Sequence, residues 1–416
     1  MSASLGGEGR GKASVDEAAG DGSGASWRIL AHDDPSELDA AAWCELLDAS
    51  PVPTPFLHPG WLAALHDSGS ATADTGWTPV FLTVVDAQGS LQAACPLYLK
   101  AHSYGEYVFD WAWARALEEA GQPYYPKLLC AVPFTPVPGS RLLARSQEAR
   151  AVLLAAMQQL ARQHGLSSAH LLFMDEADRA AALAAGWQLR ETVQFHWENR
   201  APQPYADFAG FLASLQREKR KKIQQERRRV AEAGVTVSVR HGAAITPQDW
   251  DFFYACYAAT YRAHHSNPYL TRDFFSRWAQ ALPQTPLLFI AERNGQRIAS
   301  SLLVVDAARG VAWGRYWGSL EWVPCLHFEL CYYAPIAWCI EQGLQRFEGG
   351  AQGEHKMARG LLPVRTWSAH WLAHPGLAEA VERFLARERQ AIGAYVSELD
   401  DRNPFKPPAG GATDAE

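Results

Sequence analysis

The amino-acid sequence predicts a mixed α/β protein with two similar domains, each a mostly antiparallel sheet flanked by helices. Two observations predict this fold class. Three apolar runs joined by tight turns precede a helix and one more strand, and the same order of elements occurs earlier in the chain. The length of 416 residues suits two domains, because a domain usually takes roughly 100 to 200 residues.

The earlier copy of this order lies before residue 200. Strands are predicted where short apolar runs are bounded by turns, and a helix where apolar residues recur every three or four positions. The predicted strands are 79–86, 91–100, 107–111, 168–175 and 187–197, and the helix between them is 146–165. A Pro-rich stretch at 198–206 predicts the boundary between the domains.

The later copy has the stronger signal. Its three apolar runs, 287–292, 297–306 and 311–318, are joined by short turns and predict an antiparallel meander. Residues 327–343 carry apolar side chains on one helical face, and 346–350 is another strand. The predicted domains are 27–200 and 201–405, between tails at 1–26 and 406–416.

Composition and charge exclude several classes of protein. The 47 aromatic residues (16 Trp, 14 Tyr and 17 Phe) argue against a disordered chain. No stretch approaches the roughly 18 apolar residues of a membrane span, and the first 26 residues have no signal-peptide core. Seven scattered cysteines without a CxxC pair predict reduced thiols in a cytoplasmic protein. There is no zinc quartet, so we expect no metal, and we expect no DNA partner.

The net charge of −7 conceals one strongly basic segment. Residues 217–229 (REKRKKIQQERRR) hold eight basic and two acidic residues, a local balance of +6, so the rest of the chain sums to −13. Neighbouring apolar residues at helical spacing predict an amphipathic helix. Its cations either form a solvated face or bind an anion such as the phosphates of a donor or of RNA. The candidate phosphate ligands are Lys219, Arg220, Lys221 and Lys222.

Eight segments together resemble a bacterial family of GNAT-like N-acyltransferases labelled peptidoglycan biosynthesis/recognition, which is similar to the Fem-type aminoacyltransferases. The segments are 100–114, 124–143, 194–199, 218–235, 268–275, 314–318, 326–333 and 347–360 (FEGGAQGEHKMARG). The resemblance covers residues 50–405. It implies two tandem GNAT-like domains and transfer of an acyl or aminoacyl group to an amine. It also carries over Lys356 as a catalytic candidate and Gly360, with Arg359 beside it, as a candidate for binding substrate.

The sequence departs from the GNAT pattern at the site where coenzyme A usually binds. GNAT enzymes hold the pyrophosphate with backbone amides of a Q/R-x-x-G-x-G/A loop, because a glycine turn at a helix start exposes N–H groups. The corresponding junction, 318–329, reads GSLEWVPCLHFE and has one glycine. Acyl-CoA and aminoacyl-tRNA both remain open as donors.

Amide formation requires a base for the amine and donors for the oxyanion. His327 and Glu329 begin the apolar helix of the later copy, and His355 and Lys356 follow the next strand. In a GNAT-like core both places face one cleft, so we expect an acid/base pair and a cation to converge there. Glu329 could instead stabilise the helix start, His327 could be a boundary histidine, and His355 and Lys356 could bind phosphate alone.

Two further groups of polar and aromatic residues are candidates for binding substrate. The first, predicted to lie on or beside a strand, includes His102, Tyr107 and Asp110; the second is Arg315 and Tyr316. Tyrosine hydroxyls and a carboxylate on a strand can line a cleft, but they can equally be bonded internally.

The sequence therefore predicts an N-acyltransferase acting on a small-molecule or peptide amine, with a cleft at the domain junction. A link to cell-wall precursor metabolism, and tRNA as a partner, come from the resemblance. The alternative is a non-catalytic module that recognises a peptidoglycan precursor or RNA through the same cleft and the basic helix.

Overall fold

The computed structural model describes residues 14–15, 26–351 and 353–406. The tails predicted at 1–26 and 406–416 lie outside these ranges, apart from 14–15, 26 and 406. The chain divides into two compact units. The first unit comprises residues 1–66, 71–189 and 368–382, and the second comprises 67–70, 190–367 and 383–416.

Among the described residues before residue 188, the first unit contains strands of two sheets and five α-helices. In chain order its elements are β1 (Ser14–Val15), β2 (Arg28–His32), α1 (Ala40–Ala49), α2 (Pro59–Asp67), β3 (Trp77–Pro79), β4 (Phe81–Val85), β5 (Leu91–Cys95), β6 (Leu97–Lys100), α3 (Trp111–Glu119), β7 (Lys127–Cys130), β8 (Leu143–Ala144), α4 (Gln147–Gln163), β9 (Ser168–Met174) and α5 (Glu176–Ala184). One sheet has the order β1-β2-β4-β5-β8, and β9-β7-β6-β3 are neighbours in the other.

The topology of the first unit follows the predicted order with two interruptions. The predicted strand 91–100 is split into β5 and β6 at Pro96, which has no N–H to donate to a sheet. β6 runs antiparallel to β7, and β7 runs parallel to β9 after the crossover through α4. Trp43 packs edge-on against Phe81 with ring centroids 6.3 Å apart, and both rings are fully buried.

The prediction of a strand at 107–111 is wrong. Tyr107 has a φ of 62°, a left-handed conformation that a strand residue does not adopt, and α3 begins at Trp111. The segment is therefore a loop that leads into a helix. The third strand of this copy is β7, which lies later in the chain and is buried along its whole length.

The second unit contains the predicted meander and basic helix. From here on the elements of the chain are β10 (Gln188–Glu198), α6 (Phe208–Ser214), α7 (Arg217–Glu232), β11 (Val235–His241), α8 (Pro247–Ala263), α9 (Arg272–Ala281), β12 (Pro286–Arg293), β13 (Gln296–Asp306), β14 (Val311–Ser319), α10 (Leu326–Phe328), α11 (Ala334–Glu341), β15 (Arg346–Ala351), β16 (Leu362–Leu372) and α12 (Pro375–Asp401). The end of β16 and the first turns of α12, within residues 368–382, belong to the first unit. A π-helical turn, Glu329–Tyr333, joins α10 to α11, and a 3₁₀ helix, Glu354–Arg359, precedes β16.

The sheet of the second unit confirms the order read from the sequence. Its strands follow one another as β11-β12-β13-β14-β15-β10-β16. β11 to β14 pair antiparallel, and β14 pairs parallel with β15 after the crossover through the helix. Phe289, Leu303, Ile336 and Phe347 are buried in one core between sheet and helices. Both units thus carry the same antiparallel strands, helix and parallel strand.

All seven cysteines are free thiols, as predicted. Within the described ranges, the structure has no helix with the length and apolar character needed to cross a membrane.

Candidate functional site

An opening begins in the sheet of the second unit where two parallel strands separate. β14 and β15 are paired only from Val311↔Arg346 to Trp313↔Glu348. Further along, β14 bonds to β13 and β15 bonds to β10. The carboxyl ends of two separated parallel strands are a common place for a ligand, because loops and helix starts meet there. The predicted residues at the helix start and after β15 lie at these ends.

The start of the helix places aromatic side chains together. His327 contacts the rings of Trp317 and Tyr332, with centroids 5.1 and 5.6 Å away. The π-helical turn inserts one extra residue into the helix, and such turns occur frequently at functional sites. Burial, together with the nearby His355, Arg359 and Lys356, lowers the pKa of His327 to about 4. The imidazole is therefore neutral at pH 7.

His355 lies beside His327, as predicted. Their ring centroids are 6.2 Å apart, and the Tyr332 hydroxyl is 3.1 Å from His355 Nε2. His355 is exposed, and burial of its inner face, with Arg359 nearby, lowers its pKa. Burial raises the pKa of Tyr332, so its hydroxyl keeps its proton. We call His327, Tyr332 and His355 the histidine cluster.

Glu329 is held in an ion pair. Arg227 of α7 donates from Nε and Nη2 to both carboxylate oxygens, at 2.9 to 3.2 Å. Such bidentate pairs fix the geometry of the two side chains. The Arg227 guanidinium also stands 4.7 Å from the centre of the Phe208 ring. The helix start is thereby tied to the basic helix.

A second buried ion pair lies beneath the cluster. Arg359 donates to both oxygens of Glu226 at 3.0 and 2.9 Å, and the Tyr333 hydroxyl donates to the same carboxylate. The Arg359 guanidinium also lies 3.5 Å from the centre of the Phe328 ring and donates to the His355 carbonyl at 2.6 Å. These contacts fix the segment that carries His355 against the helix start.

Lys356 points into the protein. Its ammonium donates to the carbonyls of Gly349, Gly350 and Ala351 at 2.7, 3.3 and 2.8 Å. The residue is 6% exposed, and burial lowers its pKa to about 8. Its observed contacts tie the 3₁₀ helix to the end of β15.

The basic segment is a helix with one buried face, as the spacing predicted. Ile223, Glu226 and Val230 of α7 are buried, and Lys221 and Lys222 are exposed. Lys219 and Arg220 are half-buried. The exposed cations form a basic surface, whereas Glu226 and Arg227 point to the helix start.

Residues 34–407 match a family described as FemAB-like, peptidoglycan biosynthesis/recognition. The chain belongs to the FemAB-like family. The match confirms the resemblance read from the sequence segments. No curated protein matches the chain significantly.

Three solved structures resemble this FemAB-like chain over most of its length. The C-terminal domain of an assigned lysylphosphatidylglycerol synthetase from Agrobacterium fabrum is 11% identical, with 85% of this chain and 97% of that one covered and a TM-score of 0.49. The L-PGS of Bacillus licheniformis is 10% identical, with 82% and 98% covered and a TM-score of 0.48. A tandem GNAT protein from the clavulanic acid biosynthesis pathway is 12% identical, with 84% and 99% covered and a TM-score of 0.45.

The first unit of the FemAB-like chain holds Asp110 in a buried network. Lys127, which is 0% exposed, donates to Ser103 and Glu106 at 2.8 Å and to Asp110. Asp110 also accepts from the Tyr124 hydroxyl at 2.6 Å. Burial would raise the pKa of Asp110, but Lys127 and the neighbouring His170 hold it below its usual range. The observed contacts of Asp110 are thus internal.

Four other residues predicted to bind substrate, His102, Tyr107, Arg315 and Tyr316, make local contacts in the structure. His102 is half-buried and accepts from the Tyr104 amide at 3.2 Å, and Tyr107 occupies the left-handed turn described above. Tyr316 packs against the Tyr257 ring of α8 at 5.0 Å, and Arg315 donates to the Tyr316 hydroxyl at 3.3 Å. Their binding roles stay predictions.

Sequence reasoning missed Glu226, Arg227 and Tyr332. A signal for Glu226 was present, because it is an acidic residue in a basic run, three positions after Ile223 and four before Val230, on the apolar face. Nothing local marks Tyr332, whose hydroxyl reaches a residue 23 positions later. Among the described residues, no group of three or more His, Cys, Asp or Glu side chains could hold a metal ion.

Gly360 ends the 3₁₀ helix with a φ of 85°, and a Cβ there would stand 2.8 Å from Phe211 Cζ. We expect Gly360→Ala to lower the free energy of unfolding by at least about 1 kcal/mol more than Gly343→Ala, since the buried ring has to move. Gly343 has a φ of 70°, but no described atom beyond its chain neighbours lies within 4 Å of its would-be Cβ. Urea unfolding of both variants measures the difference, and equal losses would contradict it.

Proposed function

We propose that this FemAB-like chain transfers an acyl or aminoacyl group from an activated donor to an amine of a cell-wall precursor. One observation carries the proposal: a neutral histidine, a tyrosine hydroxyl and a second histidine meet where β14 and β15 separate. A base and a proton donor are the groups that amide formation requires.

In the proposed reaction the amine attacks the carbonyl carbon of the donor, and His327 accepts the proton that the amine loses. The C–N bond forms, the carbonyl oxygen becomes an oxyanion, and the bond to the leaving thiol or ribose oxygen then breaks. Tyr332 protonates the leaving group and is reprotonated through His355, to which its hydroxyl is bonded. The proton on His327 passes to solvent, so atoms and charges balance.

Of the two bases predicted at the helix start, His327 suits this role better. Its imidazole is neutral, whereas both oxygens of Glu329 already accept from Arg227. Glu329 and Arg359 then act as positioning residues that hold the helix start and the His355 segment. Lys356 acts in the same way through the end of β15.

The donor is an acyl thioester or an aminoacyl-tRNA. The exposed cations of α7, with Lys219 and Arg220 beside them, supply positive charge for phosphates of either donor. The description of the family, peptidoglycan biosynthesis/recognition, supports a peptide amine of a cell-wall precursor as the acceptor.

A donor panel tests the proposal. The purified chain is incubated with acyl-CoAs of increasing length or with charged tRNAs, and with diaminopimelate- and lysine-containing muropeptides as amines. We expect amide product with at least one pair. A folded protein that binds muropeptide or RNA, but forms no amide with any donor, would favour the recognition module instead.

The pH dependence of transfer tests the base. His327 must be neutral to accept a proton, and its pKa lies at about 4 instead of 6.5. We therefore expect kcat/KM for the donor to fall only as the pH drops below about 5.5, within roughly 1.5 units of that pKa. The free-base concentration of the amine is held constant at each pH. A decline centred at or above pH 6.5 would contradict this assignment.

A further inference from the structure

We infer that the loop between β14 and the following helix forms a pocket for the apolar acyl chain of the donor, and not a cradle for donor phosphates. The inference rests on the proposed function and names the class of its donor: an acyl thioester whose acyl part is a medium-length hydrocarbon chain.

The pocket lies wholly within one short stretch of the second unit. Residues 317 and 319–328 line a cavity of about 410 Å³. This volume falls within the range of small-ligand sites, about 300–1,000 Å³. His327 and Phe328 belong to both the lining and the surroundings of the histidine cluster. A chain in this pocket therefore has its carbonyl end near His327.

The lining is chemically unsuited to phosphate. Most of its side chains are apolar or aromatic, and Trp317, Leu320, Trp322, Val323 and Phe328 are among them. Its charged side chain is the acidic Glu321, whose carboxylate accepts from Arg293 at 2.6 Å. Because Glu321 is paired with Arg293, it adds no net positive charge that would attract a phosphate.

The backbone of the loop is also unsuited to hold an anion. An anion site needs several N–H groups that are free to point at the ligand. Here the amide of Leu320 donates to the Ile298 carbonyl at 2.8 Å, and that of Leu326 donates to the Val323 carbonyl at 3.3 Å. The amides of Phe328 and Glu329 both donate to the Cys325 carbonyl, at 3.0 and 3.1 Å. Four amides of this stretch are thus already bonded to backbone carbonyls.

Two large apolar side chains of the lining are exposed to solvent. Trp322 is 81% exposed and Leu320 is 53% exposed. Leaving such area in water is unfavourable, and an exposed apolar group at the edge of a pocket often marks a ligand site. An acyl chain would cover both side chains as it enters the pocket.

Calorimetric binding tests the inference without any acceptor or turnover. The probes are octanoyl-pantetheine and acetyl-pantetheine, which lack phosphates and differ by six methylenes. Each fully buried methylene strengthens binding about fourfold. We therefore expect the octanoyl probe to bind at least tenfold more tightly than the acetyl probe.

Two variants test whether the octanoyl chain binds in this pocket. Trp322→Ala and Leu320→Ala are expected to reduce the octanoyl preference to threefold or less, because they remove the walls that cover the chain. Leu183→Ala is the matched control, since Leu183 is 60% exposed on α5 of the first unit. It should retain the full preference. All three positions are exposed, so the variants should fold, and thermal unfolding checks this.

Equal affinities for the two probes, or an unchanged octanoyl preference in Trp322→Ala, would each overturn the inference. These outcomes differ from failure of the proposed function. If acyl transfer fails but the octanoyl preference depends on Trp322, the apolar pocket stands and the transferase assignment falls. If the chain transfers short acyl groups but shows no preference for the octanoyl probe, the transferase assignment stands and the apolar pocket falls.

Discussion

Replacing Lys127 with methionine is expected to destabilise the first unit by about 3–5 kcal/mol, since removing one partner leaves buried charges uncompensated. Lys127 is fully buried and holds both Glu106 and Asp110. Burial already raises the pKa of Glu106 to about 7, even with the ammonium present. Without Lys127, the two carboxyls must either take up protons or admit water.

Hydrogen exchange measures this loss within the unit concerned. The amides of β6, β7 and β9 should lose protection in Lys127→Met, while those of β12 and β13 in the second unit should change little. Lys221→Met is the matched control, because Lys221 is exposed on α7. We expect its effect to stay within about 0.5 kcal/mol.

A compensating variant separates charge from packing. Adding Glu106→Gln and Asp110→Asn to Lys127→Met removes the two uncompensated carboxylates. This triple variant should regain part of the lost protection from hydrogen exchange. If Lys127→Met alone were as stable as the natural chain, the buried network would not contribute to the stability of the first unit.

Replacing His327 with glutamine is expected to lower kcat/KM for acyl transfer by roughly 10²–10⁴-fold, the usual contribution of a general base. Glutamine has a similar size and can contact the same rings, but it cannot accept the amine proton. Tyr332→Phe should lower kcat by a similar factor for donors with a poor leaving group, because the hydroxyl bonded to His355 is lost.

The matched control is His264→Gln, at an exposed position that follows α8. Its rate should equal that of the natural chain within twofold. A loss of affinity with unchanged kcat in His327→Gln would indicate that the histidine binds substrate without transferring a proton. Equal rates in His327→Gln and the natural chain would contradict its role as base.

The sheet of the second unit could be predicted because its signals are local. β12 to β14 alternate with short turns, as at Asn294-Gly295, and each strand pairs with its neighbour in sequence. The helix that follows was recognisable from its apolar face. Its π-helical turn, Glu329–Tyr333, was not predicted.

The first unit was harder to predict near residue 110. Tyr107, Phe109 and Trp111 alternate with other residues as in a strand, yet Tyr107 adopts a positive φ and α3 begins four residues later. The buried carboxylates at 106 and 110 explain the difference. Glu106 and Asp110 reach Lys127, which lies 21 and 17 positions later and which no local pattern reveals.

The candidate site was predicted in part for the same reason. His327 and His355 could be placed together because strand order brings the ends of β14 and β15 side by side. The partners of Glu329 and Arg359 lie 102 and 133 residues earlier, on α7. Ion pairs across such distances leave no spacing in the sequence, so the basic helix appeared only as a charged surface.

Transfer to an amine at the histidine cluster is tested by a single turnover with stoichiometric acyl donor and excess amine, followed by mass spectrometry. We predict that the natural chain and His264→Gln convert donor to amide, and that His327→Gln forms almost none while still binding the donor. Undiminished amide formation in His327→Gln, or donor hydrolysis without any amide in the natural chain, would contradict transfer at the histidine cluster with His327 as the base.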